Sequence, residues 1–160
     1  MVFRGKNYSL FQTTYNNDIE IVKLLIDYAN KKNIVLKVNE QDINGNCPLL
    51  GATCKDNIEI VKLLMDYVNK NDIVLKMIFN PLLWATYKDN TAIVKLLIDY
   101  ASKNSIVLKI NEQKSNGNYP LLWATKKNNI EIVKLLIDYG NKNNITSEIN
   151  ENDKLRRNSL

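Results

Sequence analysis

The chain has 160 residues, of which 45% are hydrophobic and 24% are charged, and its formal net charge is +5. This length suits one domain with a continuous core. The sequence contains no histidine, which excludes Ser–His and Cys–His catalytic pairs and His-ligated zinc. No apolar run has the length of a membrane span or a signal peptide, so we expect a cytoplasmic protein in which Cys47 and Cys54 are free thiols.

The positive charge comes mainly from lysine. The sequence has 19 Lys, 3 Arg and 25 Asn. Arginine is the better side chain for reading bases and phosphates. A mild excess of lysine therefore favours an ordinary solvated surface over a nucleic-acid site.

Two short blocks recur four times along the chain. The second block starts at residues 19, 58, 91 and 130, which are 39, 33 and 39 residues apart, and it reads IEIVKLLIDY with few changes. The first block, PLLWAT in its commonest form, starts ten residues earlier, at 9, 48, 81 and 120. A constant offset within a variable period indicates a two-element unit followed by a connector of variable length.

Both blocks are predicted to be helices. In the second block, Val22 and Leu25 lie on an apolar face, and Lys23 lies on the polar face opposite. Each second helix is preceded by a residue suited to an N-cap; these are Asp18, Asn57, Asn90 and Asn129. Each of the last three first helices is predicted to open on a proline; these are Pro48, Pro81 and Pro120. One helical hairpin cannot cover its own apolar face, so neighbouring hairpins must stack.

The connectors differ between repeats. We expect the two long connectors to form projecting fingers at Gly45 and Gly117, and the connector at 71–80 to lack one, with Asn80 as a helix cap. The connectors share apolar triplets at 34–36, 73–75 and 106–108, which we expect to pack between repeats.

One repeat shows a family pattern. Residues 42–49 read DINGNCPL, and Ala52-Thr53, Asp56-Asn57 and the run IVKLL at 60–64 follow. This pattern resembles the ankyrin repeat. The resemblance implies an all-α, ankyrin-type α-solenoid of four helix-turn-helix repeats with β-turn finger connectors. We expect residues 1–160 to form a single ankyrin-repeat domain, with repeats near 5–41, 42–76, 77–113 and 114–152 and a frayed basic tail at 153–160.

The sequence departs from the family pattern at the ends of the second helices. The family usually has glycine there, but this chain has Ala29, Val68 and Ala101, and only the last helix has Gly140. We therefore expect these three helices to continue to about residues 30, 69 and 102. The end repeats are only weakly capped, which leaves a longer array as an alternative.

The sequence predicts no catalytic, cofactor or metal site and no small-molecule substrate, because it has no phosphate-binding, nucleophile or metal-ligand motif. Recurring residues are interpreted as structural. The tyrosines at 28, 67, 100 and 139 are expected to pack with outward hydroxyls, and the recurring Lys and Asp of the second helices to form exposed pairs. Trp84 and Trp123 are expected to lie in the core between repeats, with an exposed interface anchor as the lower-ranked alternative.

Positions that vary between repeats are the binding candidates, since the scaffold does not dictate them. The predicted protein-binding residues are Tyr15, Ile43, Asn44, Asn46, Lys55, Tyr87, Lys88, Ser115, Asn116, Asn118, Lys126 and Lys127. The resemblance implies that they line a concave face of fingers and first helices. Tyrosine and lysine there suit an acidic or amphipathic segment of a partner protein.

We therefore expect a monomeric, non-catalytic protein-protein interaction module, with no membrane contact. Two alternatives stay open. One is electrostatic binding to nucleic acid or an anionic surface, which we rank lower, and the other is a structural segment of a larger multidomain protein.

Overall fold

The computed structural model describes residues 8–76, 78–111 and 117–145, and this part of the chain contains eight helices and no strand. The predicted all-α solenoid is confirmed. The helices are α1 Tyr8–Tyr15, α2 Ile19–Lys32, α3 Pro48–Cys54, α4 Ile58–Lys70, α5 Phe79–Tyr87, α6 Thr91–Lys103, α7 Pro120–Lys126 and α8 Ile130–Lys142.

The helices form two rows. In the first-helix row, α1 contacts α3, α3 contacts α5 and α5 contacts α7; in the second-helix row, α2, α4, α6 and α8 contact one another in the same order. Each first helix also contacts the second helix that follows it. The core lies between the rows, where Leu64, Leu97 and Leu136 are fully buried. Stacking of neighbouring hairpins thus covers the apolar faces as predicted.

The second helices begin as predicted. The side-chain oxygens of Asp18, Asn57, Asn90 and Asn129 accept the backbone N–H three residues later, at distances of 2.9–3.1 Å. These bonds satisfy N–H groups that have no partner within the helix.

The second helices end one or two residues later than predicted, at Lys32, Lys70 and Lys103. A polar residue with a left-handed backbone follows each helix, at φ angles of 51–57°; these residues are Asn33, Asp72, Ser105 and Asn144. Gly140 lies inside α8 and does not end it. The turn therefore uses Asn, Asp or Ser where glycine would be the least strained choice.

Two of the three first helices that were predicted to begin at a proline do so. Helices α3 and α7 begin at Pro48 and Pro120, but α5 begins at Phe79, two residues before Pro81. Asn80 therefore lies inside α5, and its predicted capping role is wrong. The short connector turns directly into the helix, because Ile78 is buried and its carbonyl accepts the Leu82 N–H at 2.9 Å.

The connectors are held by tyrosines of the next repeat. In each apolar triplet the middle valine is exposed, while Leu75 and Leu108 are buried. The N–H groups of Leu36, Leu75 and Leu108 donate to the hydroxyls of Tyr67, Tyr100 and Tyr139 at 2.9, 3.0 and 3.1 Å. The same hydroxyls donate to the carbonyls of Ile34, Ile73 and Ile106 at 3.5, 3.3 and 2.6 Å.

These tyrosine–connector bonds correct one expectation. The predicted outward hydroxyl is wrong for Tyr67, Tyr100 and Tyr139, which are buried, whereas Tyr28 is 57% exposed. The hydroxyls turn inward because they supply hydrogen-bond partners to connector groups that the stacking removes from water.

The first finger is a tight turn around Gly45, whose φ is 77°. The carboxylate of Asp42 accepts the N–H groups of Asn44 and Asn46 at 2.8 and 2.9 Å and the side-chain amide of Asn46 at 2.8 Å. The bonds from Asn46 and Asn44 lower the pKa of the Asp42 carboxyl. Gly117 has a similar φ of 74°. The predicted tail at 153–160 lies outside the described residues.

Candidate protein-binding face

The first-helix row presents a set of positions whose residues differ from repeat to repeat. One position is occupied by Gln12, Gly51, Trp84 and Trp123, and the position three residues later by Tyr15, Cys54, Tyr87 and Lys126. The next position is occupied by Asn16, Lys55, Lys88 and Lys127. Residues three or four apart lie on the same side of a helix. We call these twelve residues the first-helix face.

An aromatic cluster lies on this face at the third and fourth repeats. The ring of Tyr87 lies 5.5 Å from that of Trp84 and 4.8 Å from that of Trp123, with interplanar angles of 88° and 79°. Both contacts have the edge-to-face geometry that aromatic rings favour. Trp84 is 40% exposed and Trp123 is half-buried, so the predicted core placement is wrong. The inward positions beside Trp84 are filled by Leu82 and Ala85.

Three lysines lie over aromatic rings of this face. Lys55 Nζ is 4.4 Å from the centroid of Tyr15, Lys127 Nζ is 5.3 Å from that of Tyr87, and Lys126 Nζ is 4.9 Å from that of Trp123. These distances fall within the range of cation–π contacts. Within the described residues, these lysines and Lys88 form no ion pair with a carboxylate. Their charges are therefore not neutralised by a carboxylate of the described residues.

A cleft of about 540 Å³ opens on the same face at the first three repeats. Gly51, Phe11, Tyr15 and Trp84 are among the residues that line it. Helix α1 approaches Gly51 closely, because a Cβ there would lie 2.5 Å from Oγ1 of Thr14 and 3.0 Å from the backbone nitrogen of Tyr15. Only glycine allows this approach, because helix α1 occupies the space that a side chain would need at the position that carries tryptophan in repeats three and four.

Cys54 also lines the cleft and is half-buried. Burial raises the pKa of the Cys54 thiol, and the nearby charges of Lys88 and Lys55 oppose that rise. Cys47 is buried, and burial raises the pKa of its thiol as well. Neither thiol has the depressed pKa of a reactive cysteine.

The structure groups most of the predicted binding residues into two clusters. Tyr15, Asn46, Lys55 and Lys88 line the cleft, while Tyr87, Lys126 and Lys127 belong to the aromatic cluster. The remaining predicted residues lie elsewhere: Ile43 and Asn44 are exposed on the finger outside the cleft, Asn118 is partly buried just before α7, and Ser115 and Asn116 lie outside the described residues.

Sequence reasoning left three residues of the face, Gly51, Trp84 and Trp123, out of the predicted binding set, together with Phe11 beside it. These four residues line the cleft or the aromatic cluster. The signal for the first three was the first variable position, where Gln, Gly, Trp and Trp follow one another in register. A scaffold residue would have kept one type there, as the leucines of the second helices do.

The described residues contain neither a metal-binding group nor a membrane-spanning helix. Within them, no group of three or more His, Cys, Asp or Glu side chains could hold a metal ion. A search of the same residues finds no helix with the length and apolarity of a membrane span.

The comparison with protein families agrees with this geometry. A family model described as "Ankyrin repeats (3 copies)" matches residues 10–107 and 68–147. The chain therefore belongs to the ankyrin-repeat family, whose repeats generally mediate protein–protein interaction and are typically non-enzymatic. A search of curated proteins found no match to the chain.

Proposed function

We propose that this chain is a non-catalytic protein-binding module that holds a segment of a partner protein on its concave face, which we identify with the first-helix face and the first finger. The observation that carries the proposal is the placement of exposed aromatic rings beneath unpaired lysines, as at Tyr15 with Lys55 and Tyr87 with Lys127. Exposed aromatic residues are frequent anchors of protein interfaces.

The face suits an acidic or amphipathic partner segment. Lys55, Lys88, Lys126 and Lys127 lie along successive repeats on this face. Apolar contact with the rings and charge pairing with the lysines would act together. A stack of rigid helix pairs presents the rings and the lysines without a conformational change on binding.

An affinity experiment tests this assignment. The immobilised chain is compared with a Tyr87→Ala/Lys88→Ala variant and with a control, Tyr28→Ala/Lys31→Ala, which removes the same residue types from exposed positions on α2. We expect the first variant to lose proteins that the wild type and the control both recover. Equal recovery by all three proteins would remove the assignment to this face.

The alternative function is electrostatic binding to nucleic acid, which the same lysines favour. The three arginines, at positions 4, 156 and 157, lie outside the described residues. A titration with a fluorescent oligonucleotide separates the two functions, because phosphate binding must weaken steeply as salt rises. Tight, salt-sensitive binding of the oligonucleotide would favour the alternative.

We also propose that the four repeats form one domain and act as a cytoplasmic monomer. The two free thiols support a reducing compartment, since secreted domains of this size often contain disulfides. Sedimentation at several concentrations would test the monomeric state.

A further inference from the structure

We propose that the cleft over Gly51 receives one aromatic side chain of a partner peptide, and that carboxylates beside this side chain pair with Lys55 and Lys88. This inference rests on the protein-binding function proposed above and names the kind of segment that is bound.

The chain itself contains an aromatic contact of the kind that we propose for the cleft. In repeats three and four, Trp123 lies edge-to-face against Tyr87 of the preceding repeat, with 4.8 Å between ring centroids. Gly51 and Tyr15 occupy the equivalent positions in repeats two and one. Tyr15 therefore lacks the indole that Tyr87 has, because helix α1 closes on Gly51 and leaves no room for a side chain there, and the cleft opens beside this contact.

The lysine contacts have the same register in both places. Lys127 lies over Tyr87 at 5.3 Å, and the equivalent Lys55 lies over Tyr15 at 4.4 Å. The first pair of repeats thus has the tyrosine and the lysine of the aromatic cluster without its tryptophan. A ring that enters the cleft from outside would lie beside Tyr15, which lines it, and could make the edge-to-face contact that Tyr87 makes with Trp123.

The size and walls of the cleft suit such a side chain. Its volume of about 540 Å³ lies within the range of ligand pockets. The exposed ring of Trp84 lines it, together with the rings of Phe11 and Tyr15. An inserted ring would therefore have aromatic groups among its neighbours.

The charges around the cleft select carboxylates as neighbours of the ring. Lys55 and Lys88 line the cleft, and no acidic residue of the described chain lines it. The nearest acids in sequence are engaged elsewhere, since Asp56 and Asp89 accept the side-chain amides of Asn90 and Asn129 at 2.8 Å. A partner with Asp or Glu beside the aromatic residue would pair with both lysines.

The probe is a displayed library of random peptides selected on the full chain, followed by synthetic peptides of the enriched sequences. We expect enrichment of Trp, Tyr or Phe flanked by Asp or Glu. Replacing that aromatic residue by Ala should lower affinity about tenfold or more, as for anchor residues of other interfaces.

Two variants test where the peptide binds. Lys55→Glu/Lys88→Glu reverses the charge of the two lysines that line the cleft. Cys54→Tyr fills the cleft with the residue that repeat three carries at the same position, so the fold should accept it. Each should weaken binding about tenfold or more. The matched control is Lys62→Glu/Lys95→Glu, which makes the same charge change at exposed positions of the second helices and should leave affinity within about twofold.

The outcomes separate this inference from the proposed function. Peptides without an aromatic residue would overturn the inference, as would peptides that bind both cleft variants normally. If such peptides instead lose binding to Lys126→Glu/Lys127→Glu, the protein-binding function holds at the aromatic cluster while the cleft assignment fails. If no peptide is enriched, both proposals fail.

Discussion

The second helix of the first repeat and those of the later repeats have almost the same sequence and different surroundings. Ile21 of α2 is 45% exposed, whereas the equivalent Ile60, Ile93 and Ile132 are fully buried. Tyr28 is exposed, whereas its equivalents hold the preceding connector. The comparison shows that burial in this solenoid is conferred by the preceding repeat and not by the helix alone. Matched substitutions in α2 and α6 test this dependence on the preceding repeat.

The largest difference is expected for isoleucine. Ile93→Ala removes buried methylene groups from the seam between repeats and should lower the free energy of unfolding by about 2–5 kcal/mol. Ile21→Ala removes the same atoms from a position already in contact with water, so it should cost much less. Urea unfolding of both variants measures the difference. Equal losses would contradict the role given to the preceding repeat.

A smaller difference is expected for tyrosine. Tyr100→Phe removes the hydroxyl that accepts the N–H of Leu75 at 3.0 Å and leaves this N–H buried without a partner. The expected loss is about 1–3 kcal/mol. Tyr28→Phe should leave stability unchanged, because its ring is exposed. Amide exchange at Leu75 provides a second measurement, and unchanged protection there in Tyr100→Phe would contradict the proposed role of the bond.

The helix caps give a third comparison. Asn90 caps α6 through its oxygen and links repeats by donating its amide to Asp56 at 2.8 Å, whereas Asp18 caps α2 without such a donor. Asn90→Ala should cost about 0.5–2 kcal/mol. Asn90→Asp keeps a capping oxygen but replaces the amide–carboxylate bond by two facing carboxylates, so its loss combines the broken link with their repulsion. Thermal unfolding measures the stability losses of both variants. An Asn90→Asp variant as stable as the wild type would show that the link to Asp56 contributes nothing to stability.

The smallest effect is expected for the ion pair between α2 and α4. Lys23 Nζ lies 3.1 Å from Glu59 and 3.3 Å from Glu20, and the bonds to Glu59 and Glu20 raise the pKa of Lys23 above 10.5. A raised pKa in the folded state stabilises the fold below pH 10.5, and the effect is lost as pH rises through the raised value. Both groups are exposed, so Lys23→Ala should be slightly less stable at low salt and equal to wild type at high salt. A large loss that persists in high salt would contradict this account.

The sequence was sufficient for the fold because each repeat restates the same helix pattern. The caps at Asp18 and Asn57 and the side-by-side placement of α2 and α4 follow from that pattern. The inward tyrosine hydroxyls could not be predicted, since Tyr100 bonds to a connector residue 25 positions earlier in the chain. Such pairing depends on how the repeats stack and not on any local pattern.

The candidate site was predicted less completely, for a different physical reason. Tyr15, Lys55 and Tyr87 were predicted as binding candidates because their positions vary between repeats. Trp84 was placed in the core because large apolar side chains are usually buried. The cleft escaped prediction because it lies beside the close approach of α1 to Gly51, which is visible only in three dimensions.

The tyrosine–connector bonds also bear on how the array would respond to a pulling force. A backbone N–H group of each connector donates to a tyrosine hydroxyl of the following repeat. Detaching a repeat from the carboxyl end therefore frees the connector before it. Successive detachments would release unequal lengths of chain, because the repeats start 39, 33 and 39 residues apart. A fully extended 39-residue unit spans about 130–140 Å and a 33-residue unit about 110–120 Å, so the short connector at 71–78 would appear as one shorter step in an extension trace.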